Sequence, residues 1–181
     1  MWAKNMRTRG FTIVELLIVI VIIGILAAIT IVAYNGVTTR AKLAAQVSAV
    51  ANYASILNAY ATTNGGYPVP SATYACLGNP STASSCGSIV SGQNACGYGS
   101  VSVDAAFNTK LSSVASLPTV PWDLYQCATV AGQGIIYAYF GTNSIFLYFW
   151  VNGTSCPAVS GTSTYSTTTE NGNSACAVSL P

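Results

Sequence analysis

The pattern of apolar and polar positions divides the chain sharply. Residues 1–10 are polar and basic. From Phe11 to Tyr34 nearly every position is apolar, and from Leu16 onward only Gly24 and Thr30 interrupt the run. Such a run is long enough to cross a hydrocarbon core of roughly 30 Å, which takes about 20 helical residues. In lipid a segment must satisfy its own backbone, so the β-branched composition still predicts a helix. Beyond Asn35–Gly36 the pattern becomes periodic. Leu43, Val47, Val50, Ala54, Leu57 and Ala61 recur in alternating steps of four and three, and Tyr53, Ile56 and Tyr60 widen the stripe. That is the amphipathic period of a helix. Asn64–Gly65–Gly66 and then Pro68 form its stop signal. A continuous helix from Phe11 to Thr63 would be roughly 80 Å long at 1.5 Å per residue. Asn35–Gly36 is its soft place, since glycine costs about 1 kcal/mol against alanine in a helix.

After residue 66 the pattern changes again. Ile135–Phe140 and Ile145–Val151 are aromatic and β-branched runs around the turn Gly141–Ser144, and predict a β-hairpin. Tyr98–Val103 alternates and predicts a further strand. Asp104 is placed to cap a short helix in "DAAFNTKLSSV". Ala175–Leu180 predicts an edge strand. The loops "NPSTASSCGS" and "SGTSTYSTTTENGNS" read as too polar to add core. The apolar face of the hairpin needs a cover, and the stripe from Leu43 to Ala61 supplies one. The predicted fold class is therefore α+β: a long N-terminal helix whose outer half packs on a small antiparallel sheet. The domain organisation read from the pattern is a leader at 1–10, an apolar helix at 11–34, its amphipathic continuation at 35–66 and a head at 67–181.

Composition narrows the chemistry. The chain has 181 residues, is 51% hydrophobic and only 6% charged, against about a quarter charged in ordinary soluble proteins. Three of the six cations, Lys4, Arg7 and Arg9, precede the apolar run. Basic residues before such a segment hold that end in the cytoplasm. There is no histidine, so Ser-His and Cys-His nucleophile pairs and the commonest metal ligand are absent. Beyond the helix the acids are Asp104, Asp123 and Glu170, in no recognisable pair; no catalytic residue, metal site or cofactor is expected. Asp123 and Glu170 read as surface or turn residues rather than calcium ligands, and Trp122 and Trp150 as core. After Lys42 the only cation is Lys110, too few for phosphate contacts, so no direct nucleic-acid binding is expected. Asn152-Gly153-Thr154 matches an N-glycosylation tripeptide.

All six cysteines, Cys76, Cys86, Cys96, Cys127, Cys156 and Cys176, follow the apolar run. Without C-x-x-C or histidine they read as disulfides of an oxidising compartment rather than as a zinc site. Six cysteines allow about 15 pairings, and sequence does not choose among them.

One oddity remains. Glu15 stands at the head of the apolar run, where a carboxylate is costly and usually functional, and Gly10 separates the basic residues from Phe11. Arg9-Gly10, Phe11, Glu15 and the uninterrupted run "FTIVELLIVIVIIGILAAI", with Gly24 and Tyr34 further on, resemble the N-terminal signature of type IV pilins and the pseudopilins of type II secretion. The resemblance covers about residues 7–34, with a helical continuation to about 63. It implies cleavage by a prepilin peptidase between Gly10 and Phe11, N-methylation of Phe11, and a role for Glu15 in setting subunit register against the new amine of Phe11. It implies a membrane-anchored precursor with its head outside, then an extracellular homopolymer built through the N-terminal helices by an assembly platform and its ATPase. A pseudopilin of a secretion system, or a minor pilin acting as adhesin, is the alternative. Many relatives carry a proline where this chain has Val32, so the expected bend of the helix is in question.

Overall fold

A computed structural model describes residues 11–78, 86, 101–120, 125–127, 130–132, 134–142, 144–170 and 172–181, without the side chains of residues 32, 33, 35, 125–127, 130–132 and 165–170. The chain divides into two units, Met1–Arg40 and Ala41–Pro181.

Helix α1 is assigned over Ile13–Asn64, 52 residues, and includes Gly24, position 32 and Gly36 without interruption. It ends where the sequence signals a stop. Gly65 follows with φ +77°, a conformation open to glycine at no steric cost. Thr62, Thr63 and Asn64 donate side-chain hydrogen bonds to the carbonyls of Asn58, Ala59 and Tyr60.

In the second unit the main sheet has five antiparallel strands. They are β1 (Tyr74–Leu77), β4 (Ile135–Tyr139), β5 (Ile145–Asn152), β6 (Ser163–Glu170) and β7 (Asn173–Ser179), in the order β1-β4-β5-β7-β6. A separate ribbon joins β2 (Tyr125–Cys127) to β3 (Val130–Gly132). The expected hairpin is β4 and β5, with Ile135 opposite Phe149 and Tyr139 opposite Ile145.

Two strand expectations need correction. Ala175–Leu180 is not at an edge. β7 lies between β5 and β6, and Ser174 to Val178 are all buried, as a continuous small and apolar run requires when both faces are covered. The edge on this side is β6, inside the Ser/Thr-rich stretch that read as loop, and β1 forms the other edge. Threonine fits a pleated surface well, and an edge strand needs few apolar residues. A register shift between Ser166 and Thr168 interrupts its pairing with β7. Of the strand expected at Tyr98–Val103, residues 98–100 lie outside the described residues, and Val103 makes an isolated parallel bridge to Cys76.

The core follows the periods read from the sequence. Val50, Tyr53, Ala54, Ile56 and Leu57 of α1 pack with Ile135, Tyr137, Ile145, Leu147, Phe149, Val151, Cys176 and Val178. Each fully buried side chain of this size contributes about 1.5–3 kcal/mol relative to exposure. Alternate residues of the same strands, Ile136, Trp150 and Ala175, form a second cluster with Cys76, Cys86 and Val101. Trp150 is thus core, as expected; Trp122 is outside the described residues. Helix α2 (Ala105–Ser112) adds Phe107 and Leu111 to the first cluster, with the Phe107 ring 4.8 Å from that of Tyr137.

Candidate functional site

The first described turn of α1 is closed by side chains. Thr12 precedes the helix, and its carbonyl accepts from Leu16 N–H at 3.3 Å. Its hydroxyl accepts from Glu15 N–H at 3.3 Å. The Glu15 carboxylate in turn accepts from Thr12 N–H at 2.9 Å and from the Thr12 hydroxyl at 2.8 Å. This is a reciprocal capping box, which satisfies donors that a helix start leaves orphaned. The carboxylate also meets the positive end of the helix dipole. The partner inferred from sequence was the amine of Phe11. In the uncleaved chain that nitrogen is a peptide amide, and Thr12 holds the carboxylate instead. The signal was present as Thr12-x-x-Glu15. Phe11 is exposed, and Gly10 lies outside the described residues.

The run behind this cap has no buried side. From Ile13 to Ile31 the large apolar side chains are 47% to 80% exposed. A helix that is apolar all round belongs in a protein core or a membrane. Among the described residues it is one helix long and apolar enough to cross a bilayer. The one hydroxyl in the run, Thr30 near its end, is satisfied within the helix by donating to the Ala27 carbonyl at 2.9 Å. A Cβ on Gly24 or Gly36 would meet nothing within 4 Å, so packing among the described residues requires neither glycine.

The head is locked by polar groups that periodicity did not reveal. Asp104 caps α2: its carboxylate accepts from Phe107 N–H at 2.9 Å and from Ser71 N–H at 2.8 Å. The Ser71 bond first, then that of Phe107, holds its carboxyl below the ordinary range. One turn on, buried Asn108 donates to the carbonyls of Cys76, Gly78 and Asp104 and accepts from Gly78 N–H at 3.0 Å. Gln46 is buried on α1 and donates to the Gly134 carbonyl at 3.0 Å. The Tyr53 and Tyr137 hydroxyls donate to the carbonyls of Pro118 and Pro68, and burial pushes both phenols well above their ordinary range.

Of the six cysteines, Cys76 is bonded to Cys86 and Cys156 to Cys176, with Cα separations of 5.7 and 5.6 Å. The first bridge ties β1 to the segment beyond it. The second ties the segment after β5 to β7. Cys96 and the Cys127 side chain lie outside the described residues, as do Asp123 and the Glu170 side chain. Among the described residues no group of three or more Cys, Asp or Glu is gathered to hold a metal ion.

Comparison with known proteins bears on the N-terminal region. Residues 5–31 match the family model described as the prokaryotic N-terminal methylation motif. The type IV major pilin protein PilE1 of Neisseria gonorrhoeae is 38% identical over 64 residues, 35% of this chain and 39% of that protein. The fimbrial protein of Neisseria meningitidis serogroup B is 38% identical over 64 residues, 35% of this chain and 38% of that one. The type II secretion system core protein G of Pectobacterium carotovorum subsp. carotovorum is 37% identical over 62 residues, 34% of this chain and 40% of that one. The chain thus spans about two fifths of the length of these relatives. No solved structure matches it.

Proposed function

We propose that this chain, whose N-terminal region is that of the type IV pilin and pseudopilin family, is the structural subunit of a surface filament. In this reading residues 1–10 are a cytoplasmic leader. A prepilin peptidase cuts between Gly10 and Phe11, and Phe11 is then N-methylated. Residues 11–34 first anchor the precursor in the cytoplasmic membrane and later form the filament core. Residues 35–66 continue the helix, and the disulfide-bonded head at 67–181 faces outward.

The observation that carries this reading is the apolar helix exposed on every side and headed by a carboxylate. The large apolar side chains from Ile13 to Ile31 are all exposed. In water each would forgo about 1.5–3 kcal/mol. The same surface can meet lipid before assembly and other copies afterwards. Glu15 gives that surface a register. In the precursor Thr12 holds its carboxylate; once Gly10 is released, Phe11 bears an amine that a carboxylate can pair. A subunit docked out of step would bury an unpaired charge, at several kcal/mol. Gly24, idle in packing among the described residues, admits a close neighbour at the cost of about 1 kcal/mol in helix propensity. The assembly platform and its ATPase would supply the work of extraction.

The relatives include both pilins and a secretion pseudopilin, so the second reading is a short secretion filament. The Ser/Thr-rich, bridged head favours the surface filament. The deciding experiment is mass spectrometry of the mature N-terminus together with electron microscopy of sheared cell-surface material. A chain starting at methylated Phe11 and recovered in filaments is expected. A chain starting near Thr30, as after ordinary signal cleavage, would overturn the reading.

A further inference from the structure

Asn152-Gly153-Thr154 is the one Asn-x-Ser/Thr tripeptide in the chain with x other than proline, and its surroundings in the fold are not those of an ordinary strand end. β5 buries Phe149, Trp150 and Val151 in succession and then delivers Asn152 to the surface as its last residue. The Asn152 side chain is exposed, next to a turn whose other polar residues are engaged. The amides of Asn108 and Asn64 are by contrast committed, the first donating to three carbonyls and the second to that of Tyr60.

Beyond Asn152 the backbone turns sharply. Gly153 has φ +137° and open space where a Cβ would stand. Thr154, two residues after the asparagine, is also exposed. The turn is anchored rather than loose. Gly153 N–H donates to the Gly172 carbonyl at 2.8 Å, and the Ser174 hydroxyl donates to the Gly153 carbonyl at 2.7 Å. Two residues on, Cys156 is bridged to Cys176. The tripeptide is therefore presented on a fixed bend with both of its functional side chains at the surface.

That anchoring has a second effect. An exposed Asn-Gly pair ordinarily degrades when the glycine nitrogen attacks the asparagine carbonyl, closing a succinimide and releasing ammonia. Here that nitrogen is held by Gly172, so Asn152 is shielded from this loss and keeps its amide.

We propose that Asn152 is a glycan attachment site. The proposal rests on the reading of the head as extracytoplasmic. The donor class is a sugar carried on a polyprenyl diphosphate, used by a membrane-bound transferase. In the transfer the Asn152 Nδ2–C1 bond of the sugar forms and the bond from C1 to the diphosphate oxygen breaks. The polyprenyl diphosphate leaves with the electron pair, and one amide proton passes to a base of the transferase. Nothing is oxidised or reduced. The Thr154 hydroxyl is the group by which such an enzyme recognises the otherwise sluggish amide.

The test is peptide mapping by mass spectrometry of the full chain recovered from the producing cells, with sheared filaments examined in parallel. The expected result is a peptide containing Asn152 heavier than its sequence by whole sugar residues. The added mass should be lost in Asn152→Gln and in Thr154→Ala, and kept in Thr154→Ser. Filaments should form in all of them, which separates this proposal from the assembly reading. An unmodified Asn152 peptide, or one heavier only by the unit mass of deamidation, would overturn it. So would added mass that survives Asn152→Gln.

Discussion

The Asn108 side chain of α2 bonds both the N–H and the carbonyl of Gly78, at 3.0 and 3.2 Å. A single buried amide thus replaces the strand partner that the end of β1 lacks. It also reaches the carbonyls of Cys76 and Asp104. Gly78 itself has φ +85°, and a Cβ there would come within 3.2 Å of the Tyr53 hydroxyl and of Val120. Asn108→Leu would strand one buried N–H and several carbonyls at once. Each unsatisfied buried group costs about 1–3 kcal/mol, so a loss of about 3 kcal/mol or more is expected. Chemical unfolding of the full chain in mild detergent, followed by tyrosine and tryptophan fluorescence, measures it. A loss below about 1 kcal/mol would contradict the hub role.

Asp104 makes the head acid-sensitive in a defined window. Its carboxyl is held below the ordinary value of 3.8 by the N–H groups of Ser71 and Phe107. The unfolded chain therefore takes up a proton first as pH falls. The contribution is present above about pH 4 and is lost as pH falls through the lower, folded value. Asp104→Asn keeps a capping oxygen and should flatten the decline of stability below about pH 4. Unfolding midpoints measured between pH 2.5 and 6, on the order of six points, test this.

Tyr53 and Tyr137 set the alkaline limit. Burial raises both phenols above their ordinary value of 10.0. The unfolded chain ionises first, so stability is full below about pH 10 and declines as pH rises through the folded values. Tyr137→Phe removes one of the two ionisations and should make the alkaline decline shallower. It also leaves the Pro68 carbonyl without its donor, at about 0.5–1.5 kcal/mol near neutral pH.

The bridge Cys156–Cys176 closes a loop with a sequence separation of 20. Loops of that size are stabilised by about 3 kcal/mol when closed. Cys156→Ser with Cys176→Ser should lower stability by about 2–4 kcal/mol. Non-reducing peptide maps of the native chain should contain the pairs 76–86 and 156–176. Any other partner for these four cysteines would contradict the fold.

At the helix start, Glu15→Val should leave a membrane-inserted, cleaved chain that fails to form normal filaments. Thr12→Val should have a smaller effect, because it removes the hydroxyl bonds and leaves the Thr12 N–H bond to Glu15 in place. Filament yield in sheared material is the readout. Normal yield from Glu15→Val would sink the register role.

What the sequence made legible was whatever repeats along a long element. Leu43 to Ala61 announced a packed face because the helical period ran for five turns, and Ile135 to Val151 announced a hairpin because two runs flanked a turn. Asp104 was legible as a cap because capping is local. Gln46 and Asn108 were not, since their partners lie 88 and up to 32 positions away and a polar residue on an apolar stripe carries no mark of its partner. β6 escaped because threonine and serine signal loop and edge strand alike, and β7 because a short apolar run does not say how many neighbours it has. At the candidate site Glu15 stood out by its charge, while Thr12 went unread although its spacing to Glu15 is a local signal.

The position of β7 also constrains how the head can be made. It lies between β5 and β6, both of which precede it along the chain. β6 has β7 as its strand partner, and Cys156 must wait for Cys176. Until β7 is made, β5 has only β4 beside it and β6 has no strand partner. The sheet then closes by insertion of its last strand between two that precede it, so the bridge at Cys156–Cys176 reports that β7 has taken its place.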